Sequence, residues 1–314
     1  MKYSFVFPGQ GSQYVGMGKE LADNFASARD VFNEVNEALS FDLYKVMTQG
    51  PDSALIMTAN TQPALMAFSM AIVRVLEKDF GINIKEKAAF VAGHSLGEYS
   101  AACCAGVFSL SDTAKLLRLR GEAMQNAVPF GVGGMAAVIG LSYKDVDALV
   151  EACSNGKDIC VAANDNSEGQ VVLSGAMTAI DRAVEIAQEF GARKCVKLAV
   201  SAPFHSPYMA PAADIMARAF MNVEAHDAQI PLIANVLATP ISNHKEIIKH
   251  LIEQITGTVR WRETMAYMTE QNVTDLVELG AGRVLSGLAK RSYKELNAIS
   301  VGSIAEIEEL AKNI

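Results

Sequence analysis

The chain has 314 residues, half of them hydrophobic, which is material for one large core or for two unequal domains. Its 27 Lys and Arg against 35 Asp and Glu leave a net charge of −8, which argues against nucleic acid as a partner and against general attraction to an anionic membrane, although an acidic chain can carry a local basic patch. Cys103, Cys104, Cys153, Cys160 and Cys195 are odd in number, irregularly spaced and without a C-x-x-C pair, so reduced core thiols are expected rather than a disulfide framework or a metal site.

Met1-Lys2-Tyr3-Ser4 runs into Pro8-Gly9 with no apolar h-region, so no secretory signal is expected. Residues 4–7 predict a short buried strand. Residues 62–78 have helical periodicity, and their apolar run over 64–73 is about half a bilayer span and ends at Arg74. A soluble, cytoplasmic protein is the expectation. Residues 88–92 predict a second strand stopped by Gly93, and residues 96–105 a buried helix of small residues. Ser111 is placed to cap a helix through Ala127, with Asp112 in its first turn.

The turn-rich Pro129-Phe130-Gly131-Val132-Gly133-Gly134 changes the pattern. Strand, helix, two strands, helix and strand are predicted at 135–139, 142–153, 159–163, 170–173, 178–190 and 193–198. That βαββαβ order predicts a small inserted ferredoxin-like domain over about 130–199. Strands at 230–234, 274–278 and 298–301, separated by helices, return the chain to a larger α/β domain made of 1–129 and 200–314.

Gly93-His94-Ser95-Leu96-Gly97 carries the sharpest chemical signal. It is a G-x-S-x-G set between a predicted strand and a predicted helix. A serine on such a turn projects as a nucleophile, and the helix N-terminus beyond it offers free N–H groups, that of Leu96 first, to an oxyanion. The competing reading of the pentapeptide is a helix-capping serine in a tight turn. A nucleophilic serine needs a base. Of the five histidines, His226, His244 and His250 sit in polar stretches, and His94 lies inside the turn with its side chain free to point at substrate. His205, in Ser201-Ala202-Pro203-Phe204-His205-Ser206-Pro207, is held between two prolines, a stiff setting for aiming a side chain; a partly buried loop histidine is the alternative. A hydrolase triad would need an acid between serine and histidine. Asp165, Asp181 and Glu185 fall there, but in the predicted small domain, so a backbone carbonyl is left to orient the histidine.

Five motifs in order give the chain its resemblance to the malonyl-CoA:acyl-carrier-protein transacylases of fatty-acid synthesis and the acyltransferase domains of polyketide synthases. They are Phe7-Pro8-Gly9-Gln10-Gly11-Ser12-Gln13, Gly93-His94-Ser95-Leu96-Gly97-Glu98, Arg120-Gly121-Glu122-Ala123-Met124, Ala202-Pro203-Phe204-His205-Ser206 and Glu278-Leu279-Gly280-Ala281-Gly282. The resemblance implies an α/β-hydrolase-like core with a parallel sheet and a ferredoxin-like insert. It implies Ser95 as the acylated nucleophile and His205 as base and acid, with Gln10 and the Leu96 N–H forming the oxyanion hole. Arg120 corresponds to the arginine that grips the free malonyl carboxylate, a match between guanidinium fork and carboxylate; a helix-surface role suits Arg118 better. The resemblance further implies histidine orientation by the backbone carbonyl of Arg260, where relatives often carry glutamine, and an asparagine near the acyl pocket at Asn164. Phe204 is implied beside the acyl α-carbon, where bulk favours malonyl over methylmalonyl, a preference worth ~1–3 kcal/mol. His94, free to point at substrate from inside the turn, is a further candidate substrate contact.

The implied substrates are malonyl-CoA and the phosphopantetheine thiol of acyl carrier protein, joined in a ping-pong reaction with no cofactor and no metal. Another acyl-CoA of polyketide type, or a serine esterase or thioesterase, is the alternative. A nicotinamide-binding fold is excluded by its own motif, because Gly9-x-Gly11 would need glycine where Tyr14 stands, and Gly280-x-Gly282 meets Leu285. A non-catalytic docking module would not need Ser95, His205 and Arg120 together. Carrier proteins are acidic, so Arg193, Lys194, Lys197, Lys290 and Arg291 are candidates for a local basic face.

Overall fold

In the computed structural model, which describes residues 1–200 and 202–314, the first predicted strand forms as β1 (Tyr3–Phe7) with all its side chains buried. Ser201, quoted above from the histidine loop, lies outside the described residues. Flanking β1 are β2 (Ala88–Gly93), β7 (Leu232–Ile233), β8 (Pro240–Ile241), β9 (Asp275–Leu279) and β10 (Asn297–Val301). They make one six-stranded sheet in the order β10-β9-β1-β2-β7-β8. Every pairing is parallel except β7 with β8. A parallel sheet covered on both faces asks for buried, mostly apolar strands, and β1 and β9 are buried along their whole length, β9 with Asp275 and Glu278 among its residues.

Helix Thr58–Lys78 is buried along most of its length and packs against helices Leu110–Asn126 and Leu96–Cys104. The cap of Leu110–Asn126 corrects the sequence expectation. Ser109, extended at φ −65° and ψ 160°, accepts from Asp112 N–H, whereas Ser111 already lies in the first turn and donates to Glu34 at 2.9 Å. An N-cap needs non-helical backbone angles, so only Ser109 qualifies.

The second sheet contains β3 (Gly133–Ile139), β4 (Cys160–Ser167), β5 (Gln170–Ala176) and β6 (Lys194–Lys197), antiparallel throughout in the order β4-β5-β3-β6. Helices Tyr143–Cys153 and Met177–Ile186 share a separate apolar cluster with it. Strand β4 runs past its apolar part into Asn164, Asp165 and Asn166. Asn164 and Asp165 pair with β5, Asn166 falls at a register shift, and Asn164 also bridges Val259 of the first body. The molecule is thus a mixed α/β protein with a mostly parallel sheet and a second, antiparallel one. Among the described residues no helix is long and apolar enough to cross a membrane. All five cysteines are free thiols.

Candidate active site

Strand β2 ends at Gly93 and the next helix begins at Leu96, leaving Ser95 on the turn at φ 55° and ψ −110°. A non-glycine residue held there costs about 1–3 kcal/mol, an outlay that collects at functional sites. The flanking glycines are required by close approach. A Cβ on Gly93 would lie 1.9 Å from Gly97 O, and one on Gly97 2.2 Å from Phe7 O. Strand β1 therefore presses directly on the turn.

Four backbone N–H groups of the turn are already used, that of His94 on Phe7 O at 3.0 Å. Ser95 N–H donates to Asn235 Oδ1 at 2.9 Å, Gly97 N–H to His94 O and Glu98 N–H to Ser95 O. The Leu96 N–H, at the positive end of the helix, has no acceptor among the described residues and is the donor available to an oxyanion. Gln10 is exposed on the loop after β1 and makes no hydrogen bond among the described residues. Gly9 beside it lies against His94, where a Cβ would come within 2.9 Å of His94 O, so Gln10 stands at the edge of the turn.

His205 is 4% exposed, also at positive φ (56°), and its Nε2 is 2.8 Å from Ser95 Oγ. Its Nδ1–H donates to the backbone oxygen of Gln254 at 2.7 Å. That bond fixes the tautomer, so the Nε2 lone pair faces the serine hydroxyl. A carbonyl orients the histidine as expected, but it belongs to Gln254 and not to Arg260. Gln254 ends helix His244–Glu253, where the last carbonyls lack helical partners and are open to an outside donor. Arg260 instead faces Glu263, with Nε 2.9 Å from its carboxylate, and its own oxygen accepts from Thr264. Phe204 is buried beside His205, and Ser206 Oγ closes the loop onto Pro203 O at 2.6 Å.

Burial, and next the charge of Arg120, push His205 down to about 3. The base is therefore neutral across the physiological range. We expect the rate of Ser95 acylation at saturating acyl-CoA to change by no more than about twofold between pH 5 and 7. An ordinary histidine near 6.5 would leave roughly 3% of the base neutral at pH 5. Rapid-quench intact mass reads this rate directly, and a half-maximum near pH 6.5 would contradict the burial argument. The sign for stability is separate. A histidine neutral in the fold and titrating near 6.5 when unfolded favours the fold above that pH, and the contribution is lost as pH falls from about 6.5 towards 3.

Arg120 rises from helix Leu110–Asn126 and is 1% exposed. Its Nη1 donates to Gln62 Oε1 at 2.9 Å, and its Nη2 to Gln254 Oε1 at 2.6 Å and to Ser95 Oγ at 3.2 Å. The guanidinium lies 5.4 Å from the Tyr99 ring centroid. Every one of these partners is neutral. No carboxylate pairs with Arg120 among the described residues, and its Nε has no acceptor. A buried cation without a directly paired anion is an expensive arrangement unless a ligand supplies one. Arg118, by contrast, is half-buried against Asn60 and Phe41.

Asn166, and not Asn164, is the asparagine of the second sheet that reaches the turn. His94 Nε2–H donates to its Oδ1 at 2.8 Å. Asn164 is buried and its side chain makes no hydrogen bond among the described residues. The pairing of β4 shifts register on either side of these residues, so simple strand alternation misplaces them. His94, kept below the ordinary histidine range by burial, packs 5.7 Å from Trp261 and spends one ring nitrogen on Asn166. Its ring braces the turn against the second sheet. Gln62, Asn235 and Gln254 were not among the residues singled out from the sequence. Nothing in their local pattern marks them, since each works through an amide aimed by long-range packing.

The acyl transferase domain family matches residues 4–310 of the chain. The malonyl CoA-acyl carrier protein transacylase of Haemophilus influenzae is 43% identical over 306 residues, covering 97% of this chain and 96% of that protein. The solved acyl-carrier-protein-S-malonyltransferase of Bartonella henselae superposes with a TM-score of 0.97 at 51% identity, covering 100% of this chain and 99% of that one. A malonyl-transacylase solved in complex with a type II PKS acyl-carrier protein gives a TM-score of 0.96 at 40% identity over the whole of both chains. On similarity that runs from end to end and far above the level at which fold alone is shared, the chain belongs to the acyl transferase domain family, among the malonyl CoA-acyl carrier protein transacylases.

Proposed function

We propose that the chain moves a malonyl group from malonyl-CoA to the phosphopantetheine thiol of an acyl carrier protein, through an ester on Ser95. The observation that carries this is Arg120, a buried guanidinium with no anionic partner, 3.2 Å from the nucleophile. A carboxylate one short acyl chain away from the reacting carbonyl suits that spacing. The relatives that bear this name, and the one solved with its carrier protein, support the reading.

His205 Nε2 takes the proton of Ser95 Oγ as the oxygen attacks the thioester carbonyl. The Leu96 N–H and Gln10 receive the oxyanion. The C–S bond breaks, and His205 returns the proton to the departing CoA sulfur. In the second half the carrier thiol gives its proton to His205 and its sulfur attacks the ester. The C–O bond then breaks, and Ser95 recovers the proton. Arg120 holds the carboxylate throughout, with Phe204 beside the acyl chain. No cofactor enters, because CoA and phosphopantetheine are substrate and product thioesters.

The same proposal covers the architecture. Residues 1–129 and 200–314 form an α/β-hydrolase-like catalytic body, and 130–199 a ferredoxin-like insert, supported by the strand order β4-β5-β3-β6. The working compartment is the cytoplasm. Arg193 and Arg291 line one cleft of about 560 Å³ with Glu168 and with Arg262, the latter paired to Asp165. Arg193 and Arg291, without an ion pair among the described residues, are the basic groups offered to an acidic carrier.

Steady-state kinetics with malonyl-CoA and holo carrier protein both varied test the reaction. Parallel double-reciprocal lines, with malonyl-carrier outpacing free malonate, are expected. Malonate release as the main flux, indifferent to carrier protein, would overturn the transfer and leave a hydrolase.

A further inference from the structure

Glu98 is 1% exposed, on the first turn of the helix after Ser95, and takes no step in the acyl transfer above. Its Oε2 accepts from Gln254 Nε2–H at 2.7 Å, and its Oε1 from Asn235 N–H at 3.3 Å. Both neighbours are aiming groups. Asn235 also grips the nucleophile turn, taking Ser95 N–H on Oδ1 and giving Nδ2–H to Gly93 O at 2.7 Å. On Gln254 the two halves of the site meet. Its side-chain oxygen receives Arg120, and its backbone oxygen receives His205.

An amide has one acceptor end and one donor end. Gln254 can offer Oε1 to Arg120 only while its NH2 faces acceptors. Those acceptors are Glu98 Oε2, Ser95 O at 2.9 Å and, more loosely at 3.4 Å, Asn235 Oδ1. Turned the other way, Gln254 would set N–H groups against the guanidinium, donor against donor. The carboxylate is the strong partner of the three, since bonds to an ionised oxygen are about twice as strong as neutral ones. Burial, the largest influence, pushes Glu98 up to about 8, against the pull of its Gln254 and Asn235 donors and of Arg120. Yet both its oxygens accept hydrogen bonds and neither faces an acceptor for a carboxyl proton among the described residues, so the geometry holds the ionised form. A carboxyl retained in so dry a place is a candidate for function.

We propose that Glu98 is a positioning residue that sets the amide direction of Gln254 and through it the aim of Arg120, so that Glu98 governs the preference for carboxylate-bearing acyl groups over neutral ones. This rests on the malonyl reading of Arg120. Glu98→Gln keeps the shape but puts an NH2 against either Gln254 Nε2–H or Asn235 N–H. The relief is an inverted Gln254, which turns away Arg120.

The test is the ratio of Ser95 acylation rates with malonyl-CoA and acetyl-CoA, measured by intact mass on wild type, Glu98→Gln, Arg120→Ala and the double variant. In Glu98→Gln the ratio is expected to fall at least about tenfold, with acetyl slowed no more than about threefold. In the Arg120→Ala background the same change is expected to leave the ratio within about twofold, because the two act in series. A merely structural role would lower both rates together, since misfolding removes active protein for either substrate. An unchanged ratio in Glu98→Gln, or an equal fall in both backgrounds, overturns the proposal alone. A wild type that prefers acetyl overturns the malonyl reading as well. Where Glu98→Gln yields no folded protein, Glu98→Ala removes the acceptor without adding a donor, and the same ratio decides.

Discussion

Arg120→Ala is expected to lower kcat/KM for malonyl-CoA by roughly thirty- to several-thousand-fold, and that for acetyl-CoA far less. The range corresponds to about 2–5 kcal/mol for truncating one partner of a buried, hydrogen-bonded charge pair. The size follows from where the arginine sits. It is 1% exposed and its hydrogen-bond partners among the described residues are neutral, so a bound carboxylate is the first opposite charge to pair with it directly, Glu98 standing behind Gln254. Acetyl-CoA brings no such charge and has little to lose. A second effect narrows its loss further. Arg120 helps hold His205 down, so its removal strengthens the base for any acyl group. In wild type a bound malonyl carboxylate would offset the same charge, making the base stronger only with the right substrate in place. Arg120→Lys should recover part of the malonyl rate, because an ammonium keeps the charge and loses the two-pronged contact. Single-turnover acylation with each acyl-CoA measures these rates. Equal losses for malonyl and acetyl would remove the clamp.

His205→Ala is expected to slow Ser95 acylation by about 10²–10⁴, the usual worth of a positioned general base. The geometry supports the upper half of that range. Nε2 lies 2.8 Å from Oγ, and Nδ1 is fixed on Gln254 O, so the ring needs no reorientation to react. In the variant the hydroxyl has only water or hydroxide to lose its proton to, so the residual rate should climb with pH. Wild type should stay flat from pH 5 to 7. Ser95→Ala should remove the covalent step altogether, and adding His205→Ala to it should change nothing more, since the two act as one unit. A double variant markedly slower than Ser95→Ala in carrier-protein acylation would point to a route that bypasses Ser95.

Much of this was legible in the chain itself, for identifiable reasons. The central strands of the first sheet are buried on both faces, so short segments such as β1 stand out, and the expected bounds of β1 and β9 lie within a residue or so of the observed ones. The nucleophile turn is legible because its glycines answer to a hard steric limit, visible at Gly97 against Phe7 O. Ser95, His205 and Arg120, predicted far apart in sequence, lie within hydrogen-bond reach of one another or of a shared partner. What escaped was carried by groups with no local signature. The carbonyl that orients His205 is a helix-end oxygen, identical in kind to every other backbone oxygen, so the choice between Gln254 and Arg260 depended on three-dimensional packing. Asn166 took the place expected for Asn164 because β4 shifts register there. Ser109 displaced Ser111 as a cap through a difference of backbone angle alone.

The central claim is an ester on Ser95 formed from malonyl-CoA. Intact mass after incubation with malonyl-CoA, with no carrier protein present, tests it most directly. A gain of one malonyl group, absent in Ser95→Ala and discharged when holo carrier protein is added, is the predicted result. An unmodified mass in wild type while free malonate accumulates, or an adduct that persists in Ser95→Ala, would contradict it.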